Sequence, residues 1–206
     1  MVNSSLTIGH LSLCPIAYPM TDPSLALAPR LIADNVPQLS ARIPAAQRRL
    51  FIFGLGYTGQ YIARALKDAG WEVAGTTRQQ DLQRSLQADG IKAVDFHDVT
   101  SDLIATYGHV LSTIGPARDQ DHDPVLKPFA NVIASARPNW VGYFSATSVY
   151  GAADEDVWVD EQFPTEPTTR RGARRLSVEQ QWADWAASHH LKLSRFRIAR
   201  YLWPRP

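Results

Sequence analysis

The sequence predicts an α/β fold, a doubly wound parallel sheet, and three observations lead there. Short apolar runs alternate with amphipathic segments at helical spacing from Arg48 onward. Glycines punctuate that alternation at Gly70 and Gly90. The first apolar run, Leu50 to Phe53, leads directly into Gly54-x-Gly56-x-x-Gly59. Strands separated by helices imply βαβ units and a parallel sheet, with a ligand at the carboxyl ends of the strands.

In order, the first strand is Leu50–Phe53, followed by a helix near Thr58–Ala69 with Ile62, Ala65, Leu66 and Ala69 on one face. The second strand is Trp71–Thr76, and a helix over Gln79–Ala88 ends before Gly90. The third strand, Lys92–Asp95, leads through a short helix near Ser101–Tyr107 to the fourth, His109–Thr113. Asp123-Pro124 opens a helix running to about Ser135. The fifth strand is Trp140–Ser145, a polar loop spans Gly151 to Arg170, a helix covers Gly172–Ser188, and a sixth strand is Leu191–Ile198.

The chain's 206 residues, 45% hydrophobic and 20% charged, suffice for one domain with a proper core. Residues 1–47 carry Pro15, Pro19, Pro23, Pro29, Pro37 and Pro44 without a clear period. They are expected to be a poorly ordered N-terminal extension, in which Met20 is an alternative start, ahead of a domain over 48–206. A net charge of +1 gives no electrostatic basis for binding nucleic acid or an anionic membrane. Cys14 is the single cysteine, so no internal disulfide forms. No apolar run approaches the roughly 20 residues that span a bilayer. The expectation is a soluble, cytoplasmic protein; its oligomeric state is not readable.

The glycine turn carries the chemistry. Strand, glycine turn and helix in that order are the context of the dinucleotide-binding fingerprint. Gly54 makes the tight turn, Gly56 lets the backbone approach a pyrophosphate, and Gly59 permits close helix–strand packing. Tyr57 and Thr58 open the helix whose N-terminal N–H groups face the phosphates. An NAD site places an acid about 20 residues on, for the ribose hydroxyls. Here the second strand ends Gly75-Thr76-Thr77-Arg78 with no acid, so Thr77 and Arg78 suit a 2′-phosphate and NADP is favoured, with NAD as the alternative. Asp98 either flanks the adenine or caps a helix. Ser112, Thr113 and Ile114 end the fourth strand where the nicotinamide ribose is expected. The His189-His190 pair sits at a helix end, where imidazole caps carbonyls, and no metal site is expected.

Several segments together carry a resemblance: Gly54-Leu-Gly-Tyr-Thr-Gly59, Gly75-Thr-Thr-Arg78, Phe144-Ser-Ala-Thr-Ser-Val-Tyr-Gly151, Trp158-Val-Asp-Glu161, Pro167-Thr-Thr-Arg-Arg-Gly-Ala-Arg-Arg175 and Val178-Glu-Gln-Gln-Trp182. The chain over about 48–199 resembles the extended short-chain dehydrogenase/reductases, the NAD-dependent epimerase/dehydratase family, and within it an atypical YeeZ-like branch. The resemblance implies a Rossmann fold and hydride transfer with a nicotinamide cofactor. It also implies a tyrosine of a Y-x-x-x-K helix as general acid/base, with a serine or threonine on the fifth strand orienting the substrate oxygen. This sequence departs from that set. The tyrosine position holds Arg171, the lysine position Arg175 and the serine/threonine position Ala146. Ser145 and Thr147 flank Ala146 and are the candidate substitutes, with Arg175 as the candidate ribose or phosphate ligand.

The family's sixth strand runs F-R-x-A-G-I-Y-G-P-G, whereas this chain reads Phe196-Arg-Ile-Ala199 and then Arg200-Tyr-Leu-Trp-Pro-Arg-Pro206. One added nucleotide before codons for G-I-Y-G-P-G yields R-Y-L-W-P-R-P. The expectation is a frameshift that leaves the protein C-terminally truncated, its substrate lobe largely missing and Trp182, Trp185 and Trp203 short of partners. The functional expectations are an NAD(P)-dependent oxidoreductase or epimerase on a small or nucleotide-sugar substrate, a non-catalytic NADP(H)-binding regulator, or an inactive fragment.

Overall fold

The structure is a computed structural model that describes Val36, residues 40–151, Val157 and residues 159–199. Strands β1 (Arg49–Phe53), β2 (Glu72–Thr76), β3 (Lys92–Val94), β4 (His109–Ser112), β5 (Trp140–Ala146) and β6 (Leu193–Ile198) form one sheet in the order β3-β2-β1-β4-β5-β6. Every neighbouring pair is parallel. Helices α1 (Tyr57–Asp68), α2 (Gln80–Ala88), α3 (Ser101–Tyr107), α4 (Leu126–Ala136) and α5 (Arg170–Ser188) make the crossovers. This is the predicted doubly wound α/β fold, and its strand order reverses at β1, the place where such sheets bind nucleotides.

The pleat divides the strands between two cores. Leu50, Ile52, Val73 and Leu111 face α1 and α2, where Ala63 and Leu86 close the layer. Phe51, Phe53, Val110, Val141 and Tyr143 face α3, α4 and α5, packing with Ile104, Phe129, Ile133, Val178 and Trp182. At the β6 edge, Phe196 stays 42% exposed and meets Trp140 and Phe144 edge-to-face at 6.1 and 5.5 Å.

Packing also extends upstream of Arg48. Ser40 is buried, its Oγ accepts the Trp71 indole N–H at 2.8 Å, and Arg48 Nε donates to Ile43 O at 2.9 Å. Trp182 and Trp185, expected to lack partners, have them. Trp182 is fully buried, stacked on Tyr143 at 5.5 Å, and Trp185 meets it edge-on at 5.5 Å, because β5 and α5 form a complete layer. Residues 1–35, Trp158 and the expected break at 200–206, with Trp203, lie outside the described residues. Among the described residues, no helix is long and apolar enough to cross a membrane.

Candidate nucleotide-binding site

Three strand ends converge at the switch point. Gly54, at the end of β1, takes φ +93°, a left-handed conformation that favours glycine. Its N–H donates to Thr76 Oγ1 at 2.9 Å, and the next N–H, of Leu55, donates to Thr76 O at 2.7 Å. On the other side Thr113 Oγ1 donates to Gly54 O at 2.6 Å. A Cβ on Gly54 would lie 2.6 Å from Ile114 Cγ1 and 2.8 Å from Thr113 Oγ1. A Cβ on Gly59 would run into Gly54 O, so this glycine lets α1 close on the turn. Gly56 differs: a Cβ there meets nothing within 4 Å. That open approach is where the fingerprint brings a pyrophosphate against the backbone. Gly56 is also the N-cap of α1, no side chain caps the helix, and no acid lies in its first turn, so the macrodipole's positive end is left for an anion. The turn therefore fits a dinucleotide.

The other predicted cofactor residues ring this turn. Tyr57 is 55% exposed and Thr58 half-buried at the start of α1. Thr77 continues β2, its N–H donating to Val94 O at 3.0 Å and its Oγ1 accepting from Gln79 N at 3.2 Å; Arg78 beside it is exposed. Asp98 is exposed in the 3-10 turn after β3. It is not a helix cap: Asp95 caps that turn through His97 N, and Thr100 Oγ1 caps α3 through Leu103 N. Ser112 is buried at the end of β4 with its hydroxyl unpaired, followed by Thr113 and Ile114 against Gly54.

The proposed reaction end lies at β5 and α5. Ser145 is 5% exposed and its Oγ has no hydrogen-bond partner. Thr147 is exposed in the 3-10 turn Thr147–Val149. Arg175 Nη1 donates to Tyr143 OH at 3.0 Å and Phe144 O at 3.2 Å. Its guanidinium lies against Gly115, where a Cβ would come 2.6 Å from Nη1. Arg175 thus ties α5, β5 and the loop after β4 together, while Arg171, one turn earlier, is exposed.

Sequence reasoning missed Tyr143 and Asp123 as parts of this region. Tyr143 looks like a core strand residue, yet its hydroxyl meets Arg175. Burial pushes its pKa up to about 12 against the pull of Arg175, so this tyrosine is a poor proton shuttle near neutral pH and does not replace the absent one. Asp123 is fully buried, and its Oδ1 accepts the Val125 and Leu126 N–H groups at 2.8 Å each. Oδ2 lies beside the Trp182 indole without meeting hydrogen-bond geometry. Burial raises the Asp123 pKa, with the two N–H bonds, Trp182 and Arg175 opposing.

A second polar cluster stands behind the site. Glu179, 1% exposed, receives Arg197 Nη2 at 3.0 Å and Nε at 3.2 and 3.3 Å. Arg197 in turn lies 4.8 Å over the Tyr150 ring. The glutamate of Val178-Glu-Gln-Gln, the arginine of Phe196-Arg and the tyrosine of Val149-Tyr-Gly are therefore one structural staple between α5, β6 and the turn after β5. His189 Nδ1 sits 2.8 Å from Trp185 O at the end of α5.

No protein-family model matches the chain, and no curated protein matches it in sequence. Solved structures do match. A conserved protein of unknown function from Silicibacter pomeroyi is 38% identical, with a TM-score of 0.61 over 72% of this chain and 51% of that one. UDP-glucuronic acid 4-epimerase from Bacillus cereus, in complex with NAD, is 18% identical with a TM-score of 0.58, over 73% of this chain and 56% of that one. UDP-glucose 4-epimerase from Thermus thermophilus, also in complex with NAD, is 20% identical with a TM-score of 0.55, over 72% and 54%. The chain has the fold of these epimerases. It spans about half the length of the structures it matches.

Proposed function

We propose that this chain holds an NAD(P)-binding domain over 48–206, with residues 40–47 packed on its edge, and that it belongs to the epimerase/dehydratase type. Its activity is that of an oxidoreductase or epimerase acting on a small or nucleotide-sugar substrate in the cytoplasm. The observation that carries this reading is the glycine turn: closed around Gly54 and Gly59, open at Gly56, uncapped at α1 and placed at the switch point of the sheet. A nicotinamide held there supplies the hydride-accepting or hydride-donating group. The absence of an acid in Gly75-Thr76-Thr77-Arg78 at the end of β2, with half-buried Thr77 and exposed Arg78 next to the turn, supports NADP over NAD. Calorimetric titration with NADPH and NADH tests both points. Binding of NADPH at least tenfold tighter than NADH, reversed by Arg78→Ala, is the expected result; no binding of either refutes the domain assignment.

A second reading is a non-catalytic NADP(H)-binding regulator. It is favoured by Ala146, Arg171 and Arg175 at the positions of the acid/base set and by Tyr143 being buried and engaged. Arginine stays protonated and serves poorly as a base. Turnover on a panel of carbonyl compounds and sugar nucleotides distinguishes the two, and weak dinucleotide binding without turnover is the result expected of an inactive fragment.

A further inference from the structure

We propose that Arg171 and Arg175, with the Ser145 hydroxyl, form a binding site for a carboxylate or phosphate group of the substrate beside the nicotinamide end of the dinucleotide. The inference rests on the dinucleotide-binding reading above. Positions four apart on α5 share one face. Arg175 fixes where that face points, because it reaches Tyr143 OH, Phe144 O and Gly115. Arg171 is one turn nearer the helix start, exposed and next to Gly172, which packs on the Ser148 carbonyl just after β5.

Among the described residues no carboxylate forms an ion pair with either arginine, although the buried Asp123, which bonds the Val125 and Leu126 N–H groups, feels the charge of Arg175. Glu179 is taken by Arg197, and Asp121, 3.8 Å away, faces Arg174. Among the described residues Arg171 has no acidic partner, and Arg175 bonds the protein through Nη1 alone. The guanidinium fork matches the spacing of carboxylate and phosphate oxygens. The first turn of α5 adds the positive end of its dipole, although Thr169 Oγ1 already accepts the Gly172 N–H at 3.0 Å.

Ser145 is the independent observation. It follows Tyr143 by two residues, so it lies on the same side of β5, beneath the first turns of α5. It is more than nine-tenths buried, and its Oγ has no partner. A buried hydroxyl left unpaired is costly, and an anionic oxygen seated between the arginines and β5 would accept its hydrogen bond. These groups bind and orient; none of them removes a proton.

The test uses the full chain saturated with NADPH, so that the pyrophosphate turn is filled. Malonate and inorganic phosphate are titrated separately by calorimetry, with chloride at matched ionic strength as the control. The expected result is binding of at least one of the two anions above the chloride control, weakened about tenfold to hundredfold in Arg171→Gln. Ser145→Ala weakens it as well, which keeps the test independent of Arg175, whose replacement also disturbs β5. Stronger binding of malonate or of phosphate identifies the group. If NADPH binds but neither anion exceeds chloride, or Arg171→Gln binds the anion as tightly as the parent, the anion site is wrong and the dinucleotide reading stands. If NADPH does not bind, both fall.

Discussion

Replacing Glu179 with leucine removes the anion that holds Arg197 at three atom pairs of 3.0 to 3.3 Å and leaves the guanidinium against a buried surface. Arg197 keeps the Tyr150 ring at 4.8 Å, a contact of about 0.5–2 kcal/mol. It gains the repulsion of Arg195, which now sits 3.9 Å from the same carboxylate. Breaking a buried pair from one side costs about 3–5 kcal/mol, and replacing both partners with apolar groups is near neutral. Glu179→Leu is therefore expected to lose about 4 kcal/mol, a large share of a typical 5–15 kcal/mol. The double variant Glu179→Leu/Arg197→Met should recover most of it. Urea unfolding followed by tryptophan fluorescence reads this well, because Trp182 lies one turn along the same helix. At a slope of about 2 kcal/mol per molar, the single variant's midpoint falls by about 2 M. A fall below about 0.5 M, or a double variant as unstable as the single one, would refute the claim that the pair is coupled and buried.

Gly59→Ala and Gly75→Ala each drive a Cβ into a carbonyl oxygen, of Gly54 and Ile52 respectively, and both should lower the melting temperature by many degrees. Gly56→Ala should fold like the parent and lose dinucleotide affinity, since its side chain would enter only the open approach. Arg137 and His190 adopt φ of +47° and +55° after α4 and α5, so glycine at either position should raise stability by about 0.5–1 kcal/mol in thermal melts. For Asp123 the folded pKa is raised above the unfolded value of about 3.9, so its contribution to stability is fully present below that value and is lost as pH rises through the folded pKa. Asp123→Asn, which keeps an acceptor for Val125 and Leu126, should gain on the parent as pH rises from 3 to 7 and match it at the acid end. A constant difference across that range would show that Asp123 is not the source.

Much of the fold is legible locally. Glycines set the ends of the first three helices, apolar runs set the strands, and the glycine turn announces itself by spacing. The start of α4 is less legible: Asp123-Pro124 suggests a helix at once, but Asp123 caps from within a turn and the regular helix begins at Leu126. Interactions between distant residues leave no periodic trace. Glu179 stands out in the sequence only as part of the Val178-Glu-Gln-Gln-Trp182 segment, and its pairing with Arg197 becomes visible only once β6 lies beside α5. Ser40 belongs to a stretch with no pattern and becomes ordered packing only through Trp71, 31 residues on. Arg175 shows in the sequence as a departure from a motif; that it clamps Tyr143 and Gly115 follows from parallel strand pairing, which no local window contains.

The hydroxyls flanking Gly54 have a kinetic and thermodynamic side. Thr76 reaches it across 22 residues and Thr113 across 59, from strands on opposite sides of β1. The phosphate-binding turn is consequently a product of long-range closure, complete only when both neighbouring strands have docked. A fragment ending before β4 should contain every glycine of the motif and still bind poorly. Conversely, a bound dinucleotide selects chains in which β2, β1 and β4 are all in register. Ligand at a hundred times its dissociation constant would then hold the centre of the sheet together with about 2.7 kcal/mol of added stability.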